Sequence, residues 1–271
     1  MQVHSAFLPN YIATLVRCRD LIEQLVRREF SSRYRGSVLG VFWAALNPVL
    51  TVLVFSFVFG VIFRARWGSE STAPNFFIIV LLGMIIHGML AESLSRAPTL
   101  ILGRASYVKR VVFPLEVLPV VTAVSALINA TIALVVVLAA NAFMQRSIEP
   151  TLLLLPLVLA PFVILIIGIV LFIAAIGVYI RDLSQIVNFI TMMALFLAPV
   201  FYPLTMVPEK YRPLMFLNPL TLIIEQARDV ALFGQLPDWL GLGIYAVVAI
   251  GFAWFGFWWF QRIRKGFADV M

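Results

Sequence analysis

The chain has 271 residues, of which 62% are hydrophobic and only 12% are charged, and its formal net charge is +7. A water-soluble domain is closer to half apolar and a quarter charged, so this composition excludes an ordinary soluble fold and indicates that lipid solvates much of the surface. The positive charge is therefore assigned to loops that face anionic lipid, not to nucleic-acid binding, and the single cysteine, Cys18, excludes an intrachain disulfide.

The first predicted element lies within residues 11–30, where apolar side chains recur at helical spacing and charged side chains occupy the other face. This pattern predicts an amphipathic helix on the cytoplasmic membrane surface; the alternative is a helix that packs on another subunit. Three arginines, Arg28, Arg33 and Arg35, lie where this helix meets the first apolar run.

Six uncharged runs follow, each longer than the roughly 20 residues that a helix needs to cross a hydrocarbon core of about 30 Å. They cover residues 36–63, 71–91, 117–145, 150–180, 183–208 and 239–261. The sequence therefore predicts an all-α integral membrane protein. Its parts are a cytoplasmic N-terminal segment (1–37), a domain of six transmembrane helices (38–260) and a cytoplasmic tail (261–271).

The orientation follows from the distribution of the 20 Lys and Arg residues. Fourteen of them lie before the first run, after the second and fourth runs, or after the sixth run, and the others lie on the opposite side. Because basic loops remain in the cytoplasm, both termini are predicted to be cytoplasmic.

The loop between the second and third runs is basic but also contains several apolar residues. Its candidate interface residues are Arg104, Tyr107, Val108, Lys109, Arg110, Phe113 and Pro114. A solvated loop has little use for Tyr107, Val108 and Phe113, so we expect another protein surface to cover them.

The segment 199–236, which begins inside the fifth run, is interrupted by prolines every four to six residues from Pro199 through Pro203 to Pro219, so no continuous helix is predicted there. Asn218 followed by Pro219 is typical of a helix start, and we predict a short helix from there to about residue 233. Its Glu225 and Arg228 are spaced to form an ion pair. Irregular backbone at this depth makes the segment a candidate lid over a pore.

Aromatic residues flank this segment and the end of the first run. We select Phe59, Phe63, Phe196, Phe201 and Tyr202 as candidates to line a sugar pathway, because sugar C–H faces stack on aromatic rings. The alternative is ordinary packing against lipid, which is common for Phe in membrane helices.

Motifs for catalysis are missing from the sequence. It contains no Gly-Lys dipeptide and therefore no Walker-type phosphate loop, and it has no G-x-S-x-G, H-E-x-x-H or C-x-x-C. The apolar runs carry almost no charge, which argues against ion-coupled transport. The chain is predicted to be a transporter subunit, not an enzyme, and to need an external motor.

Several motifs together resemble one family. Residues 25–48 (LVRREFSSRYRGSVLGVFWAALNP) are similar to the start of the ABC exporter permeases that move lipid-linked polysaccharides, O-antigen permeases in particular. Residues 63–67 (FRARW), 107–119 (YVKRVVFPLEVLP), 179–183 (YIRDL) and 199–202 (PVFY) match later positions in the same order. The resemblance extends over nearly the whole chain.

This resemblance implies a homodimer in the bacterial inner membrane that binds two copies of a separate ATPase subunit. ATP and Mg²⁺ would be bound by that ATPase, and this chain would carry no cofactor. The basic loop would be the coupling helix, and short outer-side gating helices between spans five and six would include Pro203, Asn218, Pro219, Glu225 and Arg228.

The substrate implied by the resemblance is polysaccharide on an undecaprenyl diphosphate carrier. Arg28, Arg33 and Arg35 are suited to bind a diphosphate, although contact with lipid headgroups would explain them equally. Two other functions stay open: a permease for another lipid or a drug in the same superfamily, and a membrane-embedded transferase acting on the same carrier.

Overall fold

The computed structural model describes residues 8–63, 76–104, 113–145 and 148–267. Within these ranges the chain forms helices, helical turns and short connections, and no strand is present. The predicted all-α class is confirmed for this part of the chain.

The amphipathic segment forms two helices instead of the single one predicted. They are α1 (Leu8–Arg17) and α2 (Arg19–Arg33), and a turn at Cys18 separates them. We call α1 and α2 the N-terminal helix pair.

The apolar side of this pair contacts the protein's own helices. The ring of Tyr11 is buried and stacks on Phe257, with the ring centroids 4.4 Å apart. Val26 is buried against Val117 and Val121. The pair is therefore docked on the helical bundle, a packing that the sequence pattern alone did not distinguish from a membrane-surface helix.

The first predicted run, 36–63, contains a composite helix, Gly40–Ile62. It consists of a short 3₁₀ turn, then α3 (Trp43–Phe55), then a wider π-helical stretch, Ser56–Ile62. The turn that leads into it uses positive φ angles at Gly36 (84°) and Gly40 (53°), which glycine adopts without strain. No residue of α3 is buried within the chain, so this helix lies at the edge of the bundle.

Four long helices form the bundle itself. They are α4 (Phe76–Arg96), α5 (Val117–Gln145), α6 (Leu155–Gly177) and α9 (Trp239–Ile263). With the composite first span, the described residues contain five helices long and apolar enough to cross a membrane. The helix α4 is the most deeply buried of the five, so the core is centred on it.

The fifth predicted run, 183–208, is helical over only part of its length. Its helix α7 (Leu183–Phe196) has 14 residues, and at 1.5 Å per residue it spans about 21 Å. The chain then leaves the helix before Pro199, as the prolines predicted. The predicted count of six spans therefore requires α7 and the irregular backbone after it to cross the bilayer together.

The connection after α7 consists of short turns followed by α8 (Pro219–Leu232). Asn218 caps α8 by accepting a hydrogen bond from the backbone N–H of Leu220 at 3.1 Å. The helix predicted to run from Pro219 to about residue 233 is therefore confirmed, start signal included.

The bundle has two ends, which we call the terminal face and the opposite face. The terminal face contains the N-terminal helix pair, the end of α4, the start of α5 and the end of α9. The opposite face contains the end of α3, the turns after α7, and α8.

Candidate functional site

Ion pairs between distant parts of the sequence gather at the terminal face. Glu29 of α2 uses both carboxylate oxygens: one accepts a hydrogen bond from Arg104 at 2.8 Å, and the other pairs with Arg96 at the end of α4. The Glu29 side chain is only 12% exposed. Because water screens such a pair weakly, these contacts hold α2 to the chain more firmly than surface ion pairs would.

A second carboxylate, Glu92 of α4, joins three helices. It pairs with Arg33 of α2, and both its oxygens accept hydrogen bonds from the Asn129 side-chain amide of α5, at 3.2 Å each. Burial lowers the pKa of the Arg33 guanidinium, but the hydrogen bond and charge of Glu92 outweigh it and raise that pKa. Arg33 therefore stays charged at physiological pH.

A third carboxylate, Glu116, lies just before α5 and is 4% exposed. It accepts a hydrogen bond from Arg264, beyond the end of α9, at 2.8 Å, and Arg264 also donates to the backbone carbonyl of Phe113 at 3.3 Å. The Tyr11 hydroxyl donates to the backbone carbonyl of Glu116 at 3.3 Å. Burial, and then the charge of Glu116, raise the pKa of Tyr11, so the phenol remains a donor.

These contacts flank residues 105–112, which lie outside the described part of the chain. The Glu29–Arg104 pair holds the chain on the N-terminal side of that segment, and the Glu116–Arg264 pair holds it on the C-terminal side. We call these two pairs, together with Arg33–Glu92, the terminal network. A pocket of about 360 Å³ opens beside it. Its lining consists of Glu29, Ser32, Arg33, Arg96, Thr99, Leu100, Gly103 and Arg104.

The predicted ATPase-coupling residues divide into two groups. Tyr107, Val108, Lys109 and Arg110 lie outside the described residues. Arg104, Phe113 and Pro114 are described, and all three are half-buried. Arg104 is engaged by Glu29, and Phe113 packs against the bundle core, so these residues anchor the segment at its ends.

The three arginines predicted to bind a diphosphate do not share one environment. Arg33 is engaged with Glu92, whereas Arg28 and Arg35 are exposed. Within the part of the chain that the structure describes, neither Arg28 nor Arg35 forms an ion pair. Their guanidinium groups are free to bind an anion, while Arg33 is committed to the terminal network.

The aromatic candidates lie at the ends of two elements. Phe59 contacts Phe63, Phe55 and Phe76, with ring centroids 5.8, 5.4 and 5.4 Å away. Phe196 and Phe201 are 6.1 Å apart.

The hydroxyl of Tyr202 donates to the backbone carbonyl of Phe196 at 2.9 Å, where α7 ends. Phe196 and Phe63 are largely exposed, so both have a face available to lipid, a second subunit or substrate.

The predicted outer-gate residues lie at the opposite face and include a buried cation, Arg228. Arg228 is 2% exposed and pairs with Glu225 at 2.9 Å, as the spacing predicted. Burial lowers the pKa of Arg228 to about 10 although Glu225 raises it, so the guanidinium is still charged at neutral pH. Asn218 caps α8 and Pro219 is its first residue, and half-buried Pro203 lies immediately before the 3₁₀ turn Leu204–Met206.

The terminal network was missed by sequence reasoning. Glu92 and Glu116 were visible only as acidic residues near the ends of apolar runs, and Glu29 only as an acidic residue of the amphipathic segment. Acidic residues are scarce, at 13 in 271, and those near span ends are fewer still. That scarcity was a usable signal, because an acid beside a basic loop at a membrane boundary needs a partner.

Comparison with known proteins gives a consistent result. A sequence profile of the family described as "ABC-2 type transporter" matches residues 20–232. The chain is 32% identical to the "O-antigen export system permease protein RfbA" of Myxococcus xanthus, over 95% of this chain and 98% of the relative.

Two further relatives are more distant. Identity is 24% to a protein of the same description from Klebsiella pneumoniae, over 93% of this chain and 95% of the relative. It is 22% to the "Polysialic acid transport protein KpsM" of Escherichia coli, over 84% of this chain and 88% of the relative.

Proposed function

Because the chain belongs to the ABC-2 type transporter family, we propose that it is the permease subunit of an ATP-driven exporter of lipid-linked polysaccharide. The observation that carries this proposal is the terminal network, which fixes both flanks of the basic segment 105–112 to different helices. A loop that only connects two spans needs no such fixation, whereas a loop that receives force from a motor does. Similarity to O-antigen permeases along nearly the whole chain supports the same function.

The motor is a separate ATPase subunit, since this sequence lacks a phosphate-binding loop. ATP and Mg²⁺ belong to that subunit, and two copies of it serve a homodimer of this chain. Exposed apolar faces on the composite first span and on α7, which include Phe57 and Phe189 respectively, supply surface for the second copy.

The membrane is the bacterial inner membrane, with the terminal face on the cytoplasmic side. The concentration of basic residues at this face supports that orientation by the positive-inside rule. The sixth crossing is made by α7 together with the proline-rich backbone that follows it, which places both termini in the cytoplasm.

The substrate is polysaccharide, with O-antigen preferred, linked to undecaprenyl diphosphate. Exposed Arg28 and Arg35 stand beside the first span and supply cations for the diphosphate at the cytoplasmic leaflet. The sugar chain would then follow Phe59, Phe63, Phe196, Phe201 and Tyr202. The outer exit would be closed by Pro203 and by α8 with its residues Asn218, Pro219, Glu225 and Arg228.

The test is co-purification in detergent with the ATPase encoded beside this gene, followed by an ATP hydrolysis assay. We expect a stable complex whose assembly or ATPase coupling is lost in Tyr107→Ala. The matched control is Tyr211→Ala, the same change at a 53%-exposed tyrosine of the opposite face, which leaves the complex intact. A chain that purifies alone and binds no ATPase would overturn the proposal and favour the transferase.

A further inference from the structure

An aromatic cluster joins α6 and α9 toward the end of both helices that lies near the terminal face. The ring of Phe172 in α6 lies 5.7 Å from the rings of Phe255 and Trp259 in α9, measured between centroids. The ring of Phe252, also in α9, is 6.5 Å from Phe172. Trp258 extends the cluster, at 6.1 Å from Phe255 and 6.3 Å from Trp259. We call these five rings the α6–α9 cluster; none of them belongs to the terminal network or to the predicted sugar pathway.

A cation lies on one ring of this cluster. The guanidinium of Arg262, in the last turn of α9, is 5.7 Å from the centroid of the Trp258 ring, which is a cation–π contact. Arg262 and Lys265 are both exposed, and within the part of the chain that the structure describes neither forms an ion pair. Arg264, between them, is instead paired with Glu116. Two positive charges without a carboxylate partner therefore stand beside the α6–α9 cluster.

The length of α9 places this end of the helix at the membrane surface. The helix has 25 residues and, at about 1.5 Å per residue, is longer than a hydrocarbon core of about 30 Å. Its last turn, with Trp258 and Arg262, therefore lies at the level of the lipid headgroups. The hydroxyl of Tyr179, just after α6, donates to the Ile263 carbonyl at 3.2 Å, so α6 ends at the same level.

One face of α9 leads from the hydrocarbon core to these cations. Gly251, Phe255, Trp258 and Arg262 follow one another at spacings of four, three and four residues, so they share this face. Phe255 is 39% exposed, and a Cβ added to Gly251 would have no atom within 4 Å, which leaves a shallow groove above the rings. The order along the face is open apolar surface, aromatic rings and then a guanidinium. It matches the acyl chain, the glycerol region and the phosphate of a phospholipid.

We infer that the α6–α9 cluster with Arg262 is a binding site for an anionic phospholipid of the bilayer. The acyl chain lies along Gly251 and Phe255, and the headgroup phosphate binds the guanidinium of Arg262, whose planar donors suit it. Because the lipid contacts Phe172 as well as α9, its binding stabilises the packing of the two helices. The inference needs only that the chain is embedded in a membrane, so it does not depend on which substrate is exported.

The cations also decide which headgroup the site accepts. An aromatic ring at a membrane surface can bind a choline headgroup through its face. Here the guanidinium of Arg262 already lies over the face of Trp258, and together with Lys265 it repels a quaternary ammonium. A phospholipid with net negative charge, such as phosphatidylglycerol, is therefore preferred over phosphatidylcholine.

A second copy of the chain is a less suitable occupant of this face. In a two-fold symmetric dimer with both copies in the same orientation in the membrane, the same patch meets itself at the same depth. Arg262 and Lys265 would then face the same two cations of the second copy, with no carboxylate of this face between them. The unpaired charges favour an anionic lipid.

The first experiment measures lipid contact at Trp258 by fluorescence quenching. The full-length chain is reconstituted in phosphatidylcholine vesicles with increasing fractions of phosphatidylglycerol or phosphatidylcholine whose acyl chains are brominated near the glycerol. The quenching lost in Trp258→Leu reports this site. We expect it to reach half its maximum at about tenfold less brominated phosphatidylglycerol than brominated phosphatidylcholine, since each cation at the surface attracts anionic lipid.

The matched control is the same substitution at the other end of the same helix. Trp239 is 52% exposed and, within the described residues, has no cation over its ring. The quenching lost in Trp239→Leu should show no preference between the two lipids. Equal preference at Trp258 and Trp239 would overturn the inference, because lipid would then solvate both ends of α9 in the same way.

Substitutions of the cation test the role of the guanidinium. Arg262→Gln should lower the preference for phosphatidylglycerol at Trp258 about fivefold, the effect of one cation near anionic lipid, and Arg262→Lys should retain part of it. Arg19→Gln, on the N-terminal helix pair with its side chain 80% exposed, should leave the preference unchanged. An Arg262→Gln variant with the wild-type preference would overturn the inference, as would a change in the number of protomers in native mass spectrometry, which would make this face a subunit contact.

The second experiment measures thermal unfolding of the chain in neutral detergent. Phosphatidylglycerol should raise the midpoint by about 3 °C in the wild type, since a ligand that binds only the folded state stabilises it, and most of this rise should be lost in Arg262→Gln. Phosphatidylcholine should have a smaller effect, and soluble glycerol phosphate at the same concentration should have none. If glycerol phosphate stabilises the chain as much as phosphatidylglycerol does, the site binds any phosphate and the assignment to a bilayer lipid is wrong.

Discussion

Arg228 of α8 donates two hydrogen bonds to the backbone carbonyl of Ile79 in α4, at 3.3 and 3.2 Å, across 149 positions of sequence. Its remaining N–H groups bind the Pro199 carbonyl, the Val200 carbonyl and Glu225. All five donors of the guanidinium thus have acceptors, and the two carbonyls after α7 are satisfied where the helix has ended. One buried side chain joins α8, α4 and the irregular backbone of the opposite face.

The first prediction follows from this geometry. Arg228→Lys keeps the charge but offers three donors instead of five in a fixed fork, so two carbonyl contacts are lost. We expect a loss of about 2–3 kcal/mol in stability, visible as a lower midpoint of thermal unfolding in detergent.

Its control is Arg212→Lys in the same outer segment. Arg212 binds the Val207 and Thr205 carbonyls but is 38% exposed, so water replaces the lost contacts and the midpoint should change little. Equal midpoints for Arg228→Lys and wild type would contradict the role of Arg228 as the connecting group.

The second prediction concerns the close approach of α6 and α9. A Cβ added to Gly256 would collide with the backbone carbonyl of Gly168, and one added to Gly168 would lie 2.7 Å from the Ala253 Cα. Backbone atoms cannot move aside as a flexible side chain can, so Gly256→Ala should force the two helices apart.

We expect Gly256→Ala to cost about 1–3 kcal/mol, the usual range for overpacking. In the same helix, Gly251 is exposed and has no atom within 4 Å of the added Cβ. Gly251→Ala should therefore be neutral or slightly stabilising, because alanine favours a helix more than glycine does. Thermal unfolding of Gly256→Ala and Gly251→Ala tests this difference, and similar losses of stability in both variants would contradict the packing argument.

Local signals in the sequence predicted local structure correctly. Asn218-Pro219 marked the start of α8, and the three-residue spacing of Glu225 and Arg228 predicted their ion pair, since both depend only on neighbours along the chain. The membrane-spanning helices followed from run length and composition. Each of these features can be read within a window of about 20 residues.

The long-range contacts could not be predicted in this way. Nothing in the sequence links Glu29 to Arg104 or Arg228 to Ile79, because any of the many arginines had the right charge and a backbone carbonyl has no sequence signature. The fifth run was counted as a full span because it is uncharged throughout, although its prolines predicted that no helix continues past residue 199, and α7 does end at Phe196. The six-span count stays a prediction on that account.

The third prediction separates the three arginines near the first span. Arg28 and Arg35 are exposed, whereas Arg33 is held by Glu92. Replacing Arg28 or Arg35 with glutamine should weaken binding of a short-chain polyprenyl diphosphate to the purified chain by about tenfold, the effect of losing one charge-assisted contact.

The control for this series is Arg19→Gln. Arg19 lies at the start of α2 and its side chain is 80% exposed, so this substitution should leave diphosphate binding unchanged. Binding of polyprenyl monophosphate and inorganic diphosphate, measured in parallel, tells whether the lipid and both phosphates are needed. If Arg19→Gln weakens binding as much as Arg28→Gln, the effect is general surface charge and the assigned site is wrong.

The last prediction concerns Asn218, which acts on two elements at once. Its Oδ1 caps α8 through the Leu220 N–H, and its Nδ2 donates to the Ala194 carbonyl near the end of α7 at 2.8 Å. Asn218→Ala removes both contacts and should cost about 2 kcal/mol, more than the roughly 1 kcal/mol of a cap alone. Asn218→Asp keeps the cap, and its charge favours the helix N-terminus, but it cannot donate to Ala194.

Asn218→Asp should therefore recover only part of the stability lost in Asn218→Ala, as measured by thermal unfolding. The comparison variant is Asp238→Ala, which removes a cap on α9 made by a side chain bonded to the Leu240 and Gly241 N–H groups. The stability lost in Asp238→Ala should equal the contribution of a helix cap alone. If Asn218→Ala costs no more than Asp238→Ala, the contact with Ala194 contributes nothing, and α7 and α8 are held together by packing and Arg228.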